Sequence, residues 1–284
     1  MMTKKTKDRL FTVLYHALII SFAFIMIYPL IWMVASSFKP TNTIFATAAR
    51  LFPEKATMEN YIHGWQGIGK TSFSSFFKNT LLVCIVNTFG TVVSCVLVAY
   101  SFARLKYKLR GFLFALVLLT MMLPGEILMI PQYLWYNRLG WINTYLPLVV
   151  PGYFATSGFF VYQIKNFIDS IPHELDDAAR IDGCSYYSIL TRIMLPLIKP
   201  AIATVVIFSF LNNWNNYMGA LLYLRKTEKY TVSLALKLFC DPTSHSDYGA
   251  MFAMATLSLI PIFFIFLTMQ RYMTQGIATS GLKG

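Results

Sequence analysis

Ser170-Ile-Pro-His-Glu-Leu-Asp-Asp-Ala-Ala-Arg-Ile-Asp-Gly-Cys-Ser-Tyr-Tyr-Ser-Ile-Leu-Thr-Arg-Ile-Met-Leu-Pro196 is a polar stretch set between two long apolar ones. It reads as two short helices. Ser170 is placed to cap the first, and Pro172 is tolerated in a first turn. Glu174, Asp176 and Asp177 fall where the positive end of the helix dipole favours acids. Asp176 and Arg180 are four apart and can pair. Gly183 stops the helix in the left-handed conformation common at helix C-termini. Ser185 caps the next helix, and Pro196 ends it.

Leu175, Ala178 and Ala179 form a small apolar strip on the first helix, and Tyr186, Ile189, Leu190 and Ile193 a larger one on the second. A lipid surface or a groove in another protein could receive such a hairpin. The first helix is acidic, and anionic headgroups repel it. An acidic helix with small residues suits a protein groove better.

Outward from this stretch the chain is apolar on a scale that no soluble core accommodates. It has 284 residues, 56% hydrophobic and 13% charged, with a mean hydropathy of +0.56. Soluble domains carry roughly 25% charged residues. A membrane helix needs about 20 mostly apolar residues. Six stretches qualify, at residues 10–38, 79–103, 111–133, 145–167, 201–224 and 248–272. The expected fold is an all-α integral membrane protein of six transmembrane helices, one domain over residues 1–284, with the polar loop at 169–200 between helices four and five. The first stretch is too long for a signal peptide, and Tyr28-Pro29-Leu30-Ile31-Trp32 offers no small-residue cleavage site.

Charge gives the orientation. The net charge is +12, from 24 Lys+Arg against 12 Asp+Glu. Lys4, Lys5, Lys7 and Arg9 crowd the N-terminal tail, and Arg104, Lys106, Lys108 and Arg110 crowd the short loop after the second stretch. The positive-inside rule makes both cytoplasmic. With six spans, the 169–200 loop and the C-terminus are cytoplasmic too. The basic residues form no single face, which argues against nucleic acid. Cys84 and Cys95 lie about 16 Å apart along one helix, too far for a disulfide. No metal-ligand spacing joins the four cysteines and four histidines.

The loop resembles the EAA loop of permease subunits of binding-protein-dependent ABC importers. That pattern is Glu-Ala-Ala, three residues, Gly, nine residues, then a hydrophobe and Pro. Here stand Asp177-Ala178-Ala179, Gly183 and Leu195-Pro196 at near-matching spacing. Asp177 replaces the usual Glu and Cys184 a common Ala, so the acid keeps its charge and loses one methylene of reach. Asn60-Tyr61, Phe77-Lys-Asn79-Thr, Pro124 to Pro131, Trp214-Asn215 and the tail Gly276…Ser280-Gly281-Leu282-Lys283-Gly284 extend the likeness to the carbohydrate branch, MalG-type subunits for di- and oligosaccharides.

The resemblance implies a bacterial inner-membrane location with both termini cytoplasmic. It implies a heterodimer with a second permease subunit, two copies of an ABC ATPase and a solute-binding protein. The ATPase subunits bind ATP and Mg; this chain binds no cofactor and is not an enzyme. Glu174, Asp177, Ala178, Ala179, Arg180, Asp182 and Gly183 become the ATPase-coupling set. In the outer loop 227–247, Tyr230 and Asp247 become candidates for contact with the binding protein.

Two polar groups within apolar stretches are candidates for the solute path. Asn213, Trp214, Asn216 and Tyr217 sit in an Asn-rich run, where amides suit hydroxyls and aromatic faces suit the C–H side of a sugar ring; interhelical hydrogen bonding is the other reading. Glu126 follows Pro124-Gly125, about 22 Å from Gly111 by helical rise, and reads as a path residue or an interfacial one.

Gly64-Trp-Gln-Gly-Ile-Gly69-Lys70-Thr71 fits the phosphate-loop pattern letter for letter. That loop works after a buried strand and at the start of a helix. The upstream residues Met58-Glu-Asn-Tyr-Ile-His63 are no apolar strand, and the topology puts them outside the cell. A secondary transporter would need no EAA-like loop and would usually carry more intramembrane acids than Glu126. A membrane enzyme would need a catalytic motif, and neither His-Glu-x-x-His nor Gly-x-Ser-x-Gly occurs. Importers of amino acids, phosphate or metals also carry EAA loops, so the solute class rests on the whole-chain likeness.

Overall fold

The computed structural model describes residues 4–240 and 246–280, with side chains over 11–240 and 246–272. In chain order the helices are α1 (Lys4–Ser36), α2 (Glu59–Gln66), α3 (Phe73–Arg104), α4 (Arg110–Met122), α5 (Gly125–Arg138), α6 (Leu146–Val149) and α7 (Gly158–Asp169). Then come α8 (Glu174–Ile181), α9 (Tyr186–Ser188), α10 (Leu195–Leu197), α11 (Lys199–Trp214), α12 (Tyr217–Tyr223), α13 (Val232–Leu238) and α14 (Tyr248–Ser280). A wide π-helical turn, Ile189–Met194, joins α9 to α10. No strand occurs among the described residues; Ile68 and Thr71 form one isolated bridge.

Among the described residues three helices are long and apolar enough to cross a membrane unaided, over Phe11–Ser36, Phe73–Arg104 and Tyr248–Tyr272. The other three expected spans are interrupted. The third is bent by 101° between α4 and α5. Leu123 before Pro124 is extended, with ψ 121, because the proline ring excludes the preceding residue from the helical region. The fourth is broken by Pro151, Gly152 and a left-handed Ala155 with φ 50, which leaves α7 only 12 residues. The fifth ends at Trp214, and Asn216 starts α12 by accepting a hydrogen bond from the Gly219 amide at 2.9 Å. An asparagine there competes as a cap rather than continuing the helix. Pro196 does not end the second loop helix in isolation; the segment Tyr186–Leu197 meets α11 at a 77° bend.

The chain divides into two compact units. One comprises residues 1–72 and 236–258. In it α1 stands with its apolar side chains exposed, as Phe11–Ser36 has none of its apolar window buried. After α1, Lys39 is buried and donates to the carbonyls of Thr47 (3.1 Å) and Arg50 (2.6 Å). Asn60 donates to the carbonyls of Ser37 and Lys39, both at 2.7 Å. Its Oδ1 accepts from Thr41, which also donates to Asp247 at 3.1 Å. Gly64 lies inside α2 against Met254, where a Cβ would stand 2.8 Å from Met254 Cγ.

The other unit comprises residues 73–235 and 259–284. Its axis is α3, whose buried Cys95, Val96, Ala99, Tyr100, Phe102 and Ala103 face Phe160, Val161 and Ile164 of α7, Met194 of the π turn and Val205 of α11. Close approach depends on glycine: a Cβ on Gly90 of α3 would fall 2.5 Å from the Tyr153 ring. Small residues serve this purpose generally where helices associate in lipid, since van der Waals packing replaces the hydrophobic effect there.

Candidate functional site

Two features of the second unit bear on function. The first is the hairpin built from α8 and α9. Its helix begins three residues later than Ser170 would have it, with His173 as N-cap and no side-chain cap bond. Its end follows the expectation closely. Gly183 has φ +79; its amide donates to Arg180 O at 3.0 Å and the Cys184 amide to Ala179 O at 2.9 Å. These are the two bonds of a Schellman cap. Ser185 caps α9, accepting from the Ser188 amide at 3.2 Å.

The faces of α8 differ from the sequence expectation. Ala179 is buried in the core, whereas Ala178 is exposed and Leu175 is 43% exposed, so the three do not form one strip. Ile189 and Leu190 are buried, while Tyr186 and Tyr187 stand out. The outward surface carries Glu174, Asp177, Ala178, Arg180, Asp182 and Ile181, the last 87% exposed. Asp176 does not pair with Arg180. Arg180 instead meets Asp177 at 3.5 Å and lies over the Tyr186 ring at 5.1 Å. Asp176 points inward to Arg104, with Nε to Oδ2 at 2.6 Å.

The second feature is a polar cavity of about 380 Å³, within the size range of small-molecule sites. Asn87 of α3, Gln132 and Tyr136 of α5, Thr156, Asn213 of α11, Asn216 and Tyr223 of α12 line it, with Gly125, Met129, Pro147 and neighbours. No lining residue carries a charge. Asn213 Nδ2 donates to Asn87 Oδ1 at 2.9 Å and to Ser209 O at 2.7 Å. Asn87 Nδ2 donates to Leu148 O at 2.7 Å. The two amides are thus held in place at the cavity wall.

The expected path residues separate. Asn213 and Asn216 reach the cavity. Trp214 does not: it is buried with Phe210 and Cys84, its ring 6.0 Å from that of Phe77. Tyr217 packs in a cluster with Leu148 and Tyr223. Glu126 is exposed in the first turn of α5, beside the lining residue Gly125. Asn87 and Gln132 escape a reading of the sequence, because each is one amide within an apolar run and only the folded chain brings them to Asn213.

Of the outer-loop candidates, Tyr230 is part-buried and its carbonyl accepts from Asn79 at 3.0 Å. Asp247 caps α14, accepting from the Ala250 amide at 2.9 Å. Residues 241–245 of that loop and 281–284 of the C-terminal tail lie outside the described residues. The phosphate-loop pattern lacks its structure: Gly64 is inside α2, and Gly67 and Gly69 turn with φ 86 and 62.

The description "binding-protein-dependent transport system inner membrane component" matches residues 92–279, from the middle of α3 through the hairpin and cavity into α14. The chain belongs to that family. Among curated relatives, the arabinooligosaccharide transport system permease protein of Halalkalibacterium halodurans is 33% identical, over 92% of this chain and 93% of its own. The trehalose/maltose transport system permease protein of Thermococcus litoralis is 31% identical, over 92% and 93%. A crystal structure of a bacterial ABC transporter involved in the import of the acidic polysaccharide alginate contains a chain of the same fold. It matches with a TM-score of 0.80 at 24% identity, covering 96% of this chain and 99% of that one. Membership places this chain among inner membrane components, and the exposed apolar surfaces of Phe11–Ser36 and Tyr248–Tyr272 accord with it.

Proposed function

We propose that this chain is the permease subunit that forms half of the translocation pathway of an ABC importer for a neutral di- or oligosaccharide. The observation that carries the reading is α8. One face of it packs on the core through Ala179 and the other leaves Glu174, Asp177, Ala178 and Ile181 exposed, and its end is fixed by the Gly183 cap. A short stiff helix of acids and small residues, anchored at its base, suits insertion into a groove of an ATPase subunit. Glu174, Asp177, Ala178, Arg180, Asp182 and Gly183 would meet that groove, with Ala179 packing α8 against its own subunit.

The solute class is supported by two independent lines. Relatives are named for arabinooligosaccharides, for galactooligosaccharides, for trehalose and maltose and, in one case, for polygalacturonan and rhamnogalacturonan, which supports a saccharide and leaves its charge to the cavity. The cavity offers amides and tyrosines without charge, which suits hydroxyl recognition and gives a carboxylate no counter-ion. Asn213 and Asn216 are the path residues we retain; Glu126 lies at the rim. Tyr230 and Asp247 remain the proposed contacts for the binding protein.

In this reading the chain crosses the membrane six times, the three interrupted stretches each counting as one span. Both termini and α8 face the cytoplasm, following the basic residues at 4–9 and 104–110. A second permease subunit, two ATPase subunits holding ATP and Mg, and a binding protein complete the importer. This chain holds no nucleotide and performs no chemistry.

The test is uptake by right-side-out vesicles that carry the full importer and are loaded with ATP. We expect uptake of at least one of arabinotriose, galactotriose and maltotriose, driven by ATP on the α8 side. Uptake of trigalacturonate in preference to all three would overturn the neutral-solute reading.

A further inference from the structure

Arg104, the last residue of α3, is a buried arginine that touches three separate pieces of chain. Its Nη2 donates to Ile168 O (3.0 Å) at the end of α7 and to Ile171 O (2.7 Å) in the turn that follows. Its Nη1 lies 3.2 Å from His173 Nε2. Its Nε meets Asp176 Oδ2 of α8 at 2.6 Å, with the two side chains only 1% and 3% exposed. One turn earlier on α3, buried Tyr100 donates to Tyr186 O of α9 at 3.3 Å. The final turn of α3 therefore grips both arms of the hairpin.

The covalent connections of α8 are weaker guides for motion. Residues 170–173 and 182–185 are turns whose hydrogen bonds, the Gly183 cap among them, are local and do not tie α8 to α3. A buried ion pair behaves differently. Separating it leaves a charge stranded in low dielectric, so it resists opening when the helix is pushed. The guanidinium is planar and forks to several acceptors at once, which fixes direction as well as distance.

The other end of this path lies in the cavity. Asn87 is on the same helix, 17 residues before Arg104, about 25 Å by helical rise. The described span of α3 contains no proline, and Gly90 is held under the Tyr153 ring. Asn87 in turn holds Asn213. One continuous helix thus joins the hairpin to the amide cluster.

We propose that Arg104 and Asp176 are positioning residues that make α8 and α3 move as one body, so that displacement of α8 reaches the cavity through Asn87. The proposal rests on the reading of α8 as the ATPase-docking helix. It assigns a transmitting role to a pair outside the outward docking set and to α3, beside the α7 and α11 helices that flank the hairpin in sequence.

The test uses the complete importer in proteoliposomes, supplied with whichever of arabinotriose, galactotriose and maltotriose the wild-type complex takes up. Sugar transported per ATP hydrolysed is measured for wild type, Asp176→Asn, Arg104→Lys and the pair Arg104→Lys/Asp176→Glu. Co-purification of the ATPase subunits confirms assembly in each. Both single variants are expected to assemble and hydrolyse ATP while sugar per ATP falls on the order of tenfold, within the range ordinary for coupling between sites. The double variant, in which the longer glutamate makes up the reach that lysine loses but not the guanidinium's bonds to Ile168 O and Ile171 O, is expected to recover part of the loss seen with Arg104→Lys. Wild-type ratios in both single variants overturn the proposal. So does failure of both singles to accumulate with a normal ratio in the double, since that pattern marks a folding role alone. A wild-type complex that lacks ATP-driven uptake altogether would instead overturn the function proposed above.

Discussion

Asn213 Nδ2 donates to Asn87 Oδ1 at 2.9 Å, tying the last turn of α11 to the middle of α3 at the wall of the cavity. Asn87 Oδ1 also accepts from Thr91 at 3.1 Å, so the contact belongs to a small network rather than an isolated pair.

Asn213→Ala removes one donor from that network and one amide from the cavity. Interhelical hydrogen bonds in membrane proteins contribute about 0.6 kcal/mol on average, so the protein should fold. If Asn213 binds solute, uptake should fall about tenfold, roughly one lost hydrogen bond to a bound sugar, with basal ATP hydrolysis unchanged. Equal losses in uptake and hydrolysis would mark Asn213 as a packing residue.

Gly90→Ala places a methyl against the Tyr153 ring, 2.5 Å away before any shift. Overpacking of this kind costs about 1–3 kcal/mol. The thermal midpoint of the purified subunit should drop accordingly. In a Tyr153→Ala background the cost should vanish, because alanine is the better helix former by about 1 kcal/mol. A similar loss in both backgrounds would contradict the packing described for α3.

At Gly183 open space surrounds the position a Cβ would take, with no atom within 4 Å, and φ is +79. Substitution there acts through the backbone alone. Gly183→Ala should cost about 1–2 kcal/mol, the ordinary penalty for a left-handed L-residue. Gly183→Asn should cost less, since asparagine tolerates that region. The ordering can be measured as the yield of ATPase subunits that co-purify with each variant.

Lys70→Ala should change neither ATP binding by the importer nor uptake. Lys70 lies in the exposed turn between Gly69 and Thr71, after helix α2 rather than a strand. Nucleotide binding lost with Lys70, measured on the isolated subunit, would restore the phosphate-loop reading.

Much of this architecture is legible in the residues. The apolar stretches at 10–38, 79–103 and 248–272 correspond to long helices, because a run of lipid-compatible side chains leaves the backbone no partner but itself. Gly183 and Ser185 announce the turn of the hairpin, since both act locally. The breaks at Leu123 and Asn215 are less legible. Pro124 and Asn216 are visible, but membrane helices often absorb such residues, and only neighbouring packing decides whether they bend. The inward turn of Asp176 is not legible at all. An acid in a first helical turn satisfies the dipole whichever way it points. Its partner Arg104 stands 72 residues earlier, among basic residues that explain themselves by membrane sidedness. The cavity likewise assembles from single amides on separate helices, each unremarkable in its own stretch.

The most direct measurement of the central claim is solute uptake by proteoliposomes with the components added one at a time. Uptake of a neutral trisaccharide should require both permease subunits, the ATPase, the binding protein and ATP, and should cease when the ATPase is left out. Uptake that persists without the ATPase, driven by a proton or sodium gradient, would contradict the account.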